Sequence, residues 1–302
     1  MPTSIIEFDR QAFHYDQLPI PPDTLWINCP PGGAKAPFIA GVVWRLLMSL
    51  QSNYPKVFCG VSAGGIAACL GRRYDPTNPR LHDRLLDLVD KFRGWSDTLS
   101  PAVPFRINIG EYLKKNFDFP PLHWGIYQIT RNTGHISRPD HPCWVILPPR
   151  ENREEHTYLS ASSAIPYLIK PIDIGNLQAR DGAWGNFDYP YRPPIPLPRR
   201  GHTITLSGSP PPPPSPLPPD HYWIELDQLK ITPKSTGLRF DPKAFRQGYW
   251  LATQIIQSMH MLEFKKPLPF SPHTELNPQT QIKYYERIGV YPAQELSSFT
   301  IY

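Results

Sequence analysis

Cysteine is scarce: four residues in a chain of 302. Cys29, Cys59, Cys69 and Cys143 are scattered, with neither metal-ligand spacing nor a disulfide framework. They read as reduced, mostly buried thiols in a reducing compartment, and no metal is expected. Long apolar runs are missing too. No stretch reaches about 18 uninterrupted apolar residues, so no helix is expected to span a membrane. Met1 to Arg10 has neither the basic start nor the apolar run of a secretory signal. The expected location is the cytoplasm, with peripheral membrane contact left open. Charge of one sign is also sparse. The net charge is +5, with no run of five or six basic residues. That is too diffuse for nucleic acid, although it favours approach to an anionic lipid surface. Proline is in excess, at 40 residues, and demands many rigid loops. An apolar content of 40% suffices for a sizeable core, and the length fits one large α/β domain or two smaller ones.

One stretch organises the rest: Val57-Phe58-Cys59-Gly60-Val61-Ser62-Ala63-Gly64-Gly65-Ile66-Ala67-Ala68-Cys69-Leu70. A short apolar run turns on Gly-x-Ser-x-Gly-Gly and continues as a small-residue helix. This is the sequence form of a nucleophile elbow, in which a strand delivers a serine to a sharp turn and a helix leaves at once. Ser62 then stands at a helix N-terminus. The N–H of Ala63 faces the same space, where the helix dipole favours a developing oxyanion. The bare pattern also fits an ordinary strand–turn–helix.

Before the elbow, Thr24 to Cys29 reads as a buried strand running into Pro30-Pro31-Gly32-Gly33-Ala34-Lys35-Ala36-Pro37. Apolar residues at 39, 42, 43, 46, 47 and 50 then give a helix from about Phe38 to Gln51. Strand, glycine turn, helix and elbow strand make a βαβ unit with parallel strands. Both glycine turns therefore lie at the carboxyl edge of the sheet, where open α/β sheets carry their sites. The N–H groups of Gly32 and Gly33 are expected to face the Ser62 hydroxyl as the other half of an oxyanion hole. A phosphate cradle is the alternative, but the Gly-x-Gly-x-x-Gly and Gly-Lys-Ser/Thr patterns are absent. Only one strand precedes the elbow strand, which is too early for the common α/β-hydrolase arrangement.

Elsewhere, residues 1–22 read as an arm over the surface. Arg80 to Phe92 and Ile109 to Asn116 read as helices. Gly125 to Thr130 and Cys143 to Leu147 read as strands joined by a turn at Asn132-Thr133-Gly134. A short helix is expected within Tyr158 to Ile172, and Ile172 to Gln178 leads into an Asp-Gly turn at Asp181-Gly182. Thr203 to Leu206 and Tyr222 to Leu226 read as strands, joined by Gly208 to Asp220 with five consecutive prolines, Pro210 to Pro214. That joint reads as a remote surface loop. Asp241-Pro242 caps a helix running to about Phe264. The tail from Lys265 is weakly patterned, with one short helix near Gln279 to Ile288.

Four segments, in order, carry a family resemblance. Gly60-Val61-Ser62-Ala63-Gly64-Gly65 resembles the elbow of patatin-like phospholipases, and Pro31-Gly32-Gly33-Ala34-Lys35-Ala36 resembles their Gly-Gly-Gly-x-Arg/Lys-Gly oxyanion loop. Leu159 to Pro166 is similar to their Ala-Ser-x-Ala-x-Pro segment, and Asp181-Gly182-Ala183 to the turn that bears their catalytic aspartate. Pro31 and Ala36 replace two loop glycines, which makes this loop stiffer. Asn186 and Pro190 fall later than the usual Asn-x-Pro, and the proline joint is not a family feature. The resemblance implies an α/β fold: a three-layer α/β/α sandwich with a central, mostly parallel sheet. It implies a single domain over 1–302, with a core at about 24–264, a proline joint at 208–220 and an extension at 265–302. It further implies a Ser62–Asp181 dyad acting on lipid acyl esters without metal or cofactor.

In such a dyad Ser62 attacks a carbonyl carbon, Asp181 takes its proton directly, and the N–H groups of Gly32, Gly33 and Ala63 hold the oxyanion. Such a dyad is expected to lack a histidine ionisation near about pH 6–7. A Ser62–Asp181–His202 or Ser62–Asp181–His221 triad is the rival arrangement. Lys35 reads either as a solvated cation at the helix start or as support for the oxyanion loop. Trp95, Phe105, Phe117, Phe119, Trp124, Trp184, Phe187, Tyr189 and Tyr191 read either as an acyl tunnel or interfacial rim, or as ordinary core. The functions in view are a phospholipid or lysophospholipid hydrolase, an acyltransferase with an alcohol or amine acceptor, and a non-enzymatic lipid-binding or proline-rich interaction protein. Oligomeric state is left open.

Overall fold

The computed structural model describes residues 4–7, 20–50, 54–75, 77–78, 115, 119–132, 141–165, 169–183, 202–211, 217, 220–229, 242–261 and 299–301. Within them, strand β2 (Leu25–Cys29), helix α1 (Ala36–Ser49), strand β3 (Lys56–Val61) and helix α2 (Ala63–Arg72) form the expected βαβ unit and its elbow helix. β2 and β3 are parallel, with Cys29 opposite Gly60. β4 (Trp124–Arg131) runs parallel to β3, and β5 (His141–Leu147) returns antiparallel to β4. β8 (Thr203–Ser207) and β9 (His221–Leu226) extend the sheet on the far side of β2, both parallel to it. The central run β4-β3-β2-β8-β9 is thus parallel, with antiparallel strands at its flanks.

Alternation along each strand separates two faces. Leu25, Ile27, Phe58, Tyr127, Ile204 and Ile224 point to the face covered by α1, α2, α3 (Glu155–Ser162) and α4 (Pro242–Met261). Trp26, Val57, Cys59, Ile126, Trp144 and Ile146 form a smaller buried cluster on the other face. α1 and α4 cross at two glycines. A Cβ on Gly41 would stand 2.1 Å from the Phe245 carbonyl oxygen, and one on Gly248 2.1 Å from that of Phe38. The two helix backbones therefore touch, and Arg45 lies buried in the seam over the Tyr249 ring, bonded to Ser49 and to Thr253 at 3.0 Å.

The far end of α2 is fixed by charge. Arg72 and Arg73 both pair with Glu155 at the start of α3, which also accepts the Tyr127 hydroxyl. Arg72 further donates to the carbonyls of His123 at 3.1 Å and Pro148 at 3.0 Å. Burial alone would raise the Glu155 carboxyl, but the two guanidiniums hold it down at about 2.

Several expectations are corrected. Part of the N-terminal arm, Ser4–Glu7, is strand β1, the sheet edge beside β5. The 158–172 helix starts at Glu155 and ends at Ser162. The lead into the Asp-Gly turn is a hairpin, β6 (Ile172–Ile174) and β7 (Leu177–Asp181). The C-terminal tail contributes strand β10 (Phe299–Ile301), paired with β9. The described ends of the joint are placed by the sheet, because β8 is parallel to β2. The joint leaves β8 at the edge where the Gly32-Gly33 turn leaves β2, with the Ser209 carbonyl accepting Trp223 Nε1–H at 2.7 Å. It rejoins at the opposite edge, where Thr203 N–H donates to the Asp220 carbonyl at 2.9 Å. The helices expected at 80–92 and 279–288, and that at 109–116 apart from Lys115, lie outside the described residues.

Candidate active site

Pairing register brings Ser62 and Asp181 together. β3 ends with Val61 opposite Gln128 of β4. β7 pairs antiparallel with the next residues of β4, placing Asp181 opposite Ile129. β5 already occupies the other edge of β4 along its length. β3 and β7 therefore run toward each other along one edge of β4, and the elbow and the Asp-Gly turn meet where they stop.

The elbow is strained, as its sequence demands. Ser62 has φ 54° and ψ −124°, a region that residues with a Cβ rarely adopt. Its neighbours must be small. A Cβ on Gly60 would lie 2.3 Å from the Gly64 carbonyl oxygen, and one on Gly64 would lie 2.2 Å from that of Cys29. The first contact closes the elbow on itself; the second presses it against the end of β2. Ser62 donates its backbone N–H to Ser162 Oγ at 3.0 Å, and Ser162 donates its hydroxyl to the Gln128 carbonyl at 2.7 Å.

Asp181 is 4% exposed. Burial raises its proton affinity, while hydrogen bonds from the Ser62 hydroxyl and the Ala183 N–H, the latter at 2.9 Å, oppose the rise; the carboxyl ends up at about 6. The Asp181 N–H donates to the Ala164 carbonyl at 3.1 Å. The Gly182 carbonyl accepts from Gln128 Nε2 at 3.1 Å and Thr130 Oγ1 at 3.3 Å. The turn behind the carboxylate is thereby pinned to β4.

The glycine turn lies beside the elbow. A Cβ on Gly32 would sit 3.9 Å from that of Ala63, so Gly32 and Ala63 are neighbours. Gly33, with φ +52°, begins a 3-10 turn to Lys35 that leads straight into α1. Lys35 is half-buried, and desolvation lowers its proton affinity.

The histidines of the rival triad stand elsewhere. His202 directly precedes β8 and His221 opens β9, both at the amino edge of the parallel strands. His221 is engaged with Thr205 Oγ1 at 2.8 Å, and burial lowers it to about 4. The four cysteines are buried, and none of them forms a disulfide. Among the described residues no group of His, Cys, Asp and Glu could hold a metal ion, and no helix is long and apolar enough to cross a membrane. Of the aromatics read as tunnel, rim or core, Phe119 and Trp124 are partly buried against the core clusters, while Trp95, Phe105, Phe117, Trp184, Phe187, Tyr189 and Tyr191 lie outside the described residues.

Sequence reasoning missed Ser162, Gln128 and Thr130. The small-residue run at 159–164 flagged the segment, but nothing local showed that one hydroxyl would reach Ser62, 100 positions earlier.

The family model described as patatin-like phospholipase matches residues 32–191, which is 160 of the 302 residues. A search of curated proteins returns no match. Among solved structures, VipD from Legionella pneumophila is similar at 12% identity, over 62% of this chain and 50% of that one, with a TM-score of 0.28. The chain thus spans about half the length of VipD, and so distant a likeness bears on neither fold nor function.

Proposed function

The chain belongs to the patatin-like phospholipase family, and from that premise we propose that it is a serine acyl hydrolase cleaving carboxylic ester bonds of phospholipids or lysophospholipids. The observation that carries this reading is the Ser62 hydroxyl on a strained elbow, hydrogen-bonded to the buried Asp181 carboxyl. A carboxylate at its ordinary pKa is a poor base for a hydroxyl. One lifted to about 6 is still ionised at neutral pH and binds the proton more firmly once it arrives.

As Ser62 Oγ bonds to the carbonyl carbon, its proton passes to Asp181 and the carbonyl oxygen becomes an oxyanion. The N–H groups of Ala63, at the start of α2, and of Gly32 and Gly33 are the donors for it, the helix dipole adding to the first. Collapse breaks the ester bond, and the leaving alcohol takes the proton from Asp181. A water then gives its proton to Asp181, attacks the acyl-enzyme and releases the acid, returning the proton to Ser62. Lys35 supports the loop from the start of α1. The modest positive charge favours contact with an anionic lipid surface.

The test is labelling with a fluorophosphonate, followed by a panel of soluble esters and phospholipids with and without an alcohol acceptor. Label on Ser62, and loss of both label and hydrolysis in Ser62→Ala, are expected. Label on Ser160, Ser162 or Ser163 instead would overturn the assignment. Acyl transfer to the acceptor in preference to water would reassign the enzyme as an acyltransferase.

A further inference from the structure

On the reading that Ser62 is the nucleophile, we propose that Ser162 is a positioning residue for the acyl-transfer reaction. Its hydroxyl holds the Ser62 backbone in the conformation from which Oγ attacks, without touching substrate.

The small residues around the elbow permit that conformation but do not enforce it. A non-glycine residue at φ 54° persists only where its surroundings over-determine it. Two hydrogen bonds do so here. The Ser62 carbonyl accepts from Gly65 N–H at 2.9 Å, which any helix start would supply. The Ser62 N–H is taken by Ser162 Oγ, which only this side chain supplies. Ser162 is fully buried, and its own proton is committed to the Gln128 carbonyl. Its lone pairs therefore face Ser62, and no base is left to make it a rival nucleophile. Gln128 is the β4 residue opposite Val61, and its side chain bonds the Gly182 carbonyl next to Asp181. One strand position thus braces both halves of the dyad, with Ser162 as the link to the serine. Ser162 is itself fixed, because α3 lies antiparallel to α2 and is tied to it at both ends: Glu155 to Arg72 and Arg73, and Ser162 to Ser62.

Without that acceptor the Ser62 backbone can relax out of its strained region and carry Oγ off line, and a misplacement of about 1 Å costs on the order of 10²-fold in rate. The experiment uses the full chain, a small soluble ester and active-site titration with a fluorophosphonate. Ser162→Ala and Ser162→Cys, the latter filling the same space with a much weaker acceptor, are each expected to label at Ser62. Their kcat per labelled site should fall by about 10- to 100-fold, with KM within about twofold. Tyr127→Phe removes one bond to Glu155 at the other end of α3. It should lower the unfolding temperature yet keep kcat per labelled site within about twofold of wild type, because it does not touch Ser62. Wild-type turnover per labelled site in Ser162→Cys would overturn the proposal. So would a kcat loss in Tyr127→Phe equal to that of Ser162→Ala, since α3 stability alone would then explain both. Failure of the wild type to label at Ser62 would instead sink the assignment of the nucleophile.

Discussion

Replacing the proposed base with its amide, Asp181→Asn, should make the protein more stable and nearly inactive at once. The carboxyl moves from 3.8 to about 6 on folding. Folding thus favours its protonated form. The stability it contributes is present below about pH 4 and lost as pH rises through about 6. Above that, the ionised carboxylate costs the native state about 3 kcal/mol, at 1.36 kcal/mol per tenfold change in proton affinity. The asparagine abolishes that cost and keeps an oxygen for the Ala183 N–H. Its amide brings two donors, of which Ser62 Oγ can satisfy one, and an unmet buried donor takes back about 1–2 kcal/mol. A gain of about 1–2 kcal/mol remains at pH 8, a rise in Tm of about 2–8 °C at about 2–4 °C per kcal/mol. By pH 4 most of the gain should be gone. Turnover should fall by about 10² to 10⁴ above about pH 6, the usual share of general-base catalysis, and the gap should narrow below it as the wild-type carboxyl becomes protonated. Thermal unfolding at pH 4 and pH 8, with ester turnover beside it, reads both effects. Wild-type kcat should rise through about pH 6 as Asp181 ionises. That limb is the carboxyl's own and not a histidine ionisation, but it falls close to where a histidine titrates, so the profile by itself does not separate dyad from triad. Histidine variants do, and His202→Gln and His221→Gln should each keep turnover within about twofold. An unchanged Tm difference between pH 4 and pH 8, or a histidine variant as inactive as Asp181→Asn, would refute the reasoning.

Three further outcomes follow from the packing. Glu155→Gln strands two buried guanidiniums and should destabilise by about 3–5 kcal/mol in urea unfolding; in the wild type, the Glu155 contribution is present above about pH 4.5 and lost as pH falls toward about 2. Gly64→Ala places a Cβ 2.2 Å from the Cys29 carbonyl oxygen, so it should lower Tm and abolish fluorophosphonate labelling by parting the elbow from the glycine turn. A Gly/Ser replacement of residues 212–216 that keeps Ser209 and Asp220, the anchors of the joint, should leave small-ester turnover within about twofold; a hundredfold loss would make the joint part of the site.

The βαβ unit and its elbow were legible because each of their signals is local. Apolar runs, glycines at fixed offsets and a helical period all lie within about 50 residues. Asp181 was legible only through its turn and the motif order, since the pairing that carries it to Ser62 spans 119 positions. The β6–β7 hairpin escaped because Leu177–Asp181 reads Leu-Gln-Ala-Arg-Asp, which is weakly apolar and alternates over too few residues. Ser4–Glu7 and Phe299–Ile301 escaped because edge strands are short and their pairing lies wholly in partners far along the chain. Ser162 was hidden for the same reason: a serine in a small-residue helix looks like any other until its neighbour is known.

The head-on approach of β3 and β7 along β4 makes that strand a ruler for the chemistry. Val61, the residue before the proposed nucleophile, and Asp181, the proposed base, stand opposite consecutive residues of β4, Gln128 and Ile129. Their separation is written into one strand, and the connecting chain does not set it. Length changes between Asn78 and Lys115, or between Asn132 and His141, leave the measure as it is, whereas α3 and Ala164, which hold Ser62 and Asp181, must stay in place. A single residue inserted between Gln128 and Ile129 would stretch it by about 3.3 Å and turn the following side chains to the opposite face. Natural variation and loop engineering therefore have freedom over these connections, while β4 must keep its length.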